Sequence, residues 1–81
     1  MENGKFEILG LRELLGGAFI DLSELSWERH TGRQAYVIYC YSARVGSMFP
    51  VNNQFELSIY DVYCIGHWNE DGNFTVEKLK E

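Results

Sequence analysis

Acidic side chains are missing from the middle of this chain: no Asp or Glu occurs in the 27 residues between Glu28 and Glu56. Proline occurs once, at Pro50, and cysteine twice, at Cys40 and Cys64. Small secreted domains are stapled by four or more cysteines at loop positions, whereas these two sit inside apolar strand-like runs, so both are expected to be reduced core thiols. Residues 1–17 lack a basic start followed by a long apolar run, which argues against a secretion signal or a membrane span and for a cytoplasmic protein. No repeat, low-complexity tract or Pro/Ser/Gly-rich linker divides the chain, so residues 1–81 are expected to form one domain. Neither G-x-x-x-x-G-K-[ST] nor G-x-G-x-x-G is present, and nucleotide binding through a phosphate loop has no support.

What is there is segregated charge. Residues 1–28 carry six acids against Lys5 and Arg12, residues 56–81 carry six against Lys78 and Lys80, and the centre holds Arg29, Arg33 and Arg44; the segments sum as −4, +3 and −4 to the net −5. Such a pattern describes surfaces rather than chemistry. Five Phe, five Tyr and two Trp supply core area efficiently in so short a chain.

The expected fold class is α+β: a short N-terminal helix followed by a four-stranded antiparallel meander, with curling into a small barrel as a further option. Ile8, Leu11, Leu14 and Leu15 stand at helical spacing before Gly16-Gly17 and predict a helix over 6–15. Gly10 favours the competing reading, a strand at 5–9 and one helical turn. Residues 18–30 read as strand because Thr31-Gly32 makes a hairpin between 27–30 and 33–36; Asp21-Leu22-Ser23-Glu24 as a helix capping box is the alternative. Residues 35–43 and 55–65 are the central strands, joined by a loop over 44–54, and a turn at 69–73 leads into a last strand at 74–79.

Several residue groups could carry chemistry, and each has a plainer explanation. Cys40, Cys64, His30 and His67 lack the paired two-to-four spacing of structural zinc ligands, and Cys64 and His67 fall on opposite faces of an extended strand. Asn69, Asp71 and Asn73 begin like a calcium loop, but Phe74 and Lys80 stand where Gly and Glu are needed. Asn73-Phe74-Thr75 matches a glycosylation sequon without an export signal. No catalytic, cofactor or metal residues are therefore assigned, and no enzyme is expected. The arginines with Tyr36, Tyr39 and Tyr41 have the ingredients of a single-stranded nucleic-acid platform, which the net charge of −5 opposes.

Both faces of the central strands are apolar or aromatic, so a curled, self-filled sheet or a covering partner is required, including a second copy of this chain. The apolar tetrapeptide 48–51 reads as a core plug or an anchor for a partner. In size and charge, not in motif, the chain resembles small acidic phage-encoded inhibitors of host or defence proteins. The expected function is non-enzymatic: an inhibitor occupying a basic or nucleic-acid-binding surface of a larger protein. Glu24, Glu28, Glu70 and Asp71 would supply charge, with Tyr36, Trp68 and Phe49 as anchors. A single-stranded nucleic-acid module is the runner-up.

Overall fold

The computed structural model describes residues 1–17 and 19–80. From residue 25 onward the β-branched and aromatic runs form six strands in an antiparallel meander: β3 (Leu25–Arg29), β4 (Tyr36–Cys40), β5 (Ala43–Val51), β6 (Gln54–Ile59), β7 (Val62–Trp68) and β8 (Phe74–Leu79). Before them come β1 (Glu2–Lys5), β2 (Ile8–Leu9) and a single helical turn, α1 (Leu11–Leu14). All eight strands belong to one sheet of order β1-β3-β4-β5-β6-β7-β8-β2, mixed because β2 runs parallel to β8. The sheet curls into a half-barrel whose two outermost strands are successive pieces of one segment, residues 2–9.

This replaces the expected α+β architecture with a mostly β one, for identifiable reasons. Gly10 adopts a positive φ of 89° and ends β2, leaving room for only one turn of helix. The 44–54 stretch is not a loop but β5 and the Asn52-Asn53 turn. Pro50 is tolerated there because β5 outruns β4 beyond Met48, giving a free side on which a missing N–H costs nothing. The expected strand 55–65 is two strands hinged at Tyr60-Asp61, where Tyr60 takes φ 53°. Tyr41 and Asn52 hold the same left-handed position in the preceding two-residue turns. Within the expected strand 18–30, residue 18 lies outside the described residues, and among residues 19–30 the strand is confined to β3.

Two glycines bend the sheet. A Cβ on Gly46 would lie 1.9 Å from the Ser58 carbonyl oxygen, and one on Gly66 2.1 Å from that of Thr75, so strands approach at these points closer than any side chain permits. Register shifts at Ile38/Tyr39 and Ile65/Gly66 accompany them. Curling makes one face the interior: Leu25, Ile38, Met48, Leu57, Ile59, Cys64 and Phe74 are fully buried there with Leu11 as a plug. Each such aliphatic or aromatic side chain is worth about 1.5–3 kcal/mol of burial. The other face carries Phe49, Val51 and Tyr63, all exposed. Among the described residues, no helix is long and apolar enough to cross a membrane.

Candidate functional site

Segment 2–9 changes partners halfway, and this makes the site. Phe6 N–H donates to the Leu25 carbonyl, which fixes Glu2, Gly4 and Phe6 as the residues whose backbone groups face β3. Asn3, Lys5 and Glu7 then face the opposite way. At Glu7 that side is satisfied, because its N–H donates to Asn73 Oδ1 at 2.9 Å and its carbonyl accepts from Phe74 N–H at 2.9 Å. At Asn3 and Lys5 the neighbouring chain has already turned away at 69–72, and a gap opens in the wall.

Through that gap lies a cleft of about 340 Å³. Gly4, Trp27, Tyr36 and Trp68 are its inner walls, and Lys5, Asn69, Glu70 and Gly72 its rim. Gly4 gives the indole its seat: a Cβ there would lie 3.0 Å from Trp27 Nε1, so the ring rests directly on the glycine. The walls belong to a ring cluster centred on Trp68, which packs within 5.4–6.3 Å of Phe6, Trp27, Tyr36, Phe55 and Phe74. The Trp68 indole N–H is buried without an acceptor. Arg29 stands over the Tyr36 ring at 5.2 Å, donates to its hydroxyl and pairs with Glu2.

A larger cleft of about 630 Å³ opens on the other side of the same segment, where residues 8–10 diverge from 22–25. Glu7, Glu13 and Glu24 line it against Arg12 and Lys5. Lys5 belongs to both clefts, and its ammonium is 3.8 Å from Glu24. Glu70 and Asp71 have no cationic partner within 4 Å among the described residues. The seam is thus acid-rimmed.

Of the expected partner-binding residues, Tyr36, Trp68 and Glu70 share the smaller cleft, and Glu24 lines the larger one. Asp71 is on the same turn as Glu70, its carboxylate accepting from Asn73 N–H at 3.0 Å, and Glu28 sits beside the seam opposite Asn3. Phe49 is elsewhere, on the outer face opposite Glu56. Gly4, Lys5 and Trp27 escaped sequence reasoning, since nothing local shows that residues 2–5 pair with 26–29. Phe19, 90% exposed just after Gly16-Gly17, was also missed.

The remaining groups do not assemble. Arg29 is on the inner side with Tyr36, whereas Arg44 is opposite Tyr39 on the outer side and Tyr41 is in a turn, so no shared arginine-tyrosine face forms. His67 faces outward to Glu77 at 2.9 Å while Cys64 points inward, and no three potential metal ligands gather among the described residues. Burial pushes the Cys64 thiol up to about 11. Burial also raises the Tyr60 phenol, whose hydroxyl donates to the Asp21 carbonyl at 2.7 Å. The Ser23 N–H bond lowers the Asp21 carboxyl.

Fold and seam together define a small curled-sheet protein with an acid-rimmed aromatic opening. Comparisons with protein-family models, with curated proteins and with solved structures found no match.

Proposed function

We propose that this chain is a non-enzymatic protein-binding module of the cytoplasm that takes a basic surface of a larger protein at the seam of its sheet. The observation that carries this reading is the joint placement of Glu24 and Glu70 around one lysine, whose ammonium lies 3.8 Å from Glu24, with Trp27, Tyr36 and Trp68 behind them. Aromatic rings at the bottom of an opening supply binding area at low entropic cost, and a surrounding excess of acid steers a cationic partner. Inhibition of the partner follows where that basic surface is the partner's own working site.

The test is an NMR titration of the ¹⁵N-labelled protein with a lysine- and arginine-rich dodecapeptide and, separately, a single-stranded dodecanucleotide. The peptide is expected to move amides around Lys5, Glu24 and Glu70 and to release them as salt rises. Shifts at Arg33, Tyr41 and Arg44 with the oligonucleotide, and none with the peptide, would replace this reading with nucleic-acid binding.

A further inference from the structure

We infer that the smaller cleft accepts an extended arginine-containing peptide segment, which adds as a strand to the free side of β1 and lays its guanidinium against the seam's rings. This rests on the protein-binding reading and names the ligand class for one of the two clefts.

Three observations converge on it. The first is an unused hydrogen-bonding edge. The alternation fixed by the Phe6-to-Leu25 bond turns the N–H and C=O of Asn3 and Lys5 into the gap, and two residues on the same parity is already satisfied by Asn73 and Phe74. The chain itself therefore shows what completes this edge: a segment lying where residues 69–72 have turned away. Strand addition at such an edge takes its affinity from main-chain bonds and its specificity from the pocket beneath alternate side chains. The second is the pocket beneath, about 340 Å³ and walled by Trp27, Tyr36 and Trp68. Trp68 also carries a buried indole N–H that lacks an acceptor.

The third is charge. Glu70 stands on the rim with no cation within 4 Å among the described residues, and Lys5, also on the rim, has its ammonium 3.8 Å from Glu24. An entering cation thus meets an uncompensated carboxylate. The molecule displays the same chemistry internally, with the Arg29 guanidinium over Tyr36 and a glutamate closing the contact. Guanidinium is preferred to ammonium because its plane stacks on indole while its edge donates to a carboxylate.

Both tryptophans of the chain wall this cleft, so intrinsic emission is a direct probe. The ligands are Ac-Thr-Val-Arg-Val-Thr-NH₂, its Glu analogue and an Arg analogue N-methylated at both valines. The arginine peptide is expected to give a saturable emission change, with at least tenfold weaker binding for the Glu and N-methylated peptides. Glu70→Lys is expected to weaken the arginine peptide at least tenfold. So is Asn3→Pro, which removes an N–H facing the gap while leaving the β1–β3 ladder its bonds. Thermal melts check that both variants fold; if Asn3→Pro does not, the N-methylated peptide alone decides strand addition. Equal binding of the N-methylated peptide, or no emission change with the arginine peptide, overturns the inference. If basic dodecapeptides still shift seam amides in that case, the protein-binding reading survives and only this ligand assignment falls.

Discussion

Cys64 is a thiol held in hydrocarbon, with no exposure and burial raising it to about 11. The same thiol in the unfolded chain ionises near 8.5. Between these values the folded state retains a proton that the unfolded state has released, so stability is fully present below about 8.5 and declines as pH rises toward 11. Urea unfolding at pH 7, 9 and 10.5 is expected to show a decline that Cys64→Ala reduces; an identical decline in both proteins would remove Cys64 from the account. The raised Tyr60 phenol acts with the same sign and accounts for part of what remains. Iodoacetamide at pH 8 is expected to leave Cys64 unmodified until the protein unfolds. Cys40→Ala carries a separate cost, because the Sγ donates to the Ser23 carbonyl at 3.0 Å and its loss leaves the 21–24 stretch held by the Tyr41 N–H bond to Glu24 and the Tyr60 hydroxyl bond to Asp21.

Strand against strand, the fold depends on the absence of a side chain at Gly46 and Gly66. Gly46→Ala forces a methyl into the Ser58–Ile59 backbone, which cannot give way as a flexible side-chain tip would, and is expected to cost about 3 kcal/mol or more. Gly32→Ala, where the Cβ meets nothing within 4 Å and only φ 81° resists, is expected to cost about 1–2 kcal/mol. Denaturant midpoints of the two variants decide, and equal losses would mean that the bend is not steric. Tyr41→Gly tests the turns: the ring is 66% exposed and φ is 55°, so relief of the left-handed position is expected to stabilise by about 1 kcal/mol.

These same elements show what the sequence could disclose. β4 and β8 were legible because Val37, Ile38, Thr75 and Val76 state a β-preference no helix would share, and β8 begins and ends where the sequence placed it. β5 was hidden by Gly46 and Pro50, residues that ordinarily mark loops and here mark a bend and an unpaired flank. The turn at Tyr60-Asp61 carries no glycine or asparagine at its left-handed position; Tyr60 is tied there by its N–H bond to the Val45 carbonyl and its hydroxyl bond to Asp21, 39 residues away. Tyr36, Trp68 and Glu70 were legible as binding residues by type, but their meeting at Gly4 is set by pairings across more than twenty residues that no local pattern encodes.

At the scale of the whole molecule, residues 2–9 occupy both ends of the sheet. Removing residues 1–9 would expose the full lengths of β3 and β8, and long exposed edges pair with other chains. The truncated protein is expected to sediment as oligomers at concentrations where the full chain does not; a well-folded monomer would show that the meander closes without its N-terminal strand. The acid-rimmed seam makes a further expectation about rates. Association with a cationic partner should slow as ionic strength rises from 0.1 to 1 M, since the screening length falls from about 10 Å to about 3 Å. Reversing Glu24 and Glu70 together should slow it at low salt, whereas reversing Arg33 and Arg44 should not; stopped-flow measurement of both sets against one basic partner tests this.

The partner swap at Phe6–Glu7 also orders events during synthesis. The Glu7–Asn73 bond joins positions 66 residues apart, so residues 7–9 must wait for residue 73 to be synthesised before they are fully held. Local hairpins from β3 to β7 can form as they emerge, because each pairs neighbours in the chain, while closure belongs to the slow class of long-range pairings. Throughout that interval the nascent protein carries the meander only as far as β7, with that edge still unguarded, and the speed of translation through β8, rather than core hydrophobicity, sets how long other chains have access to it.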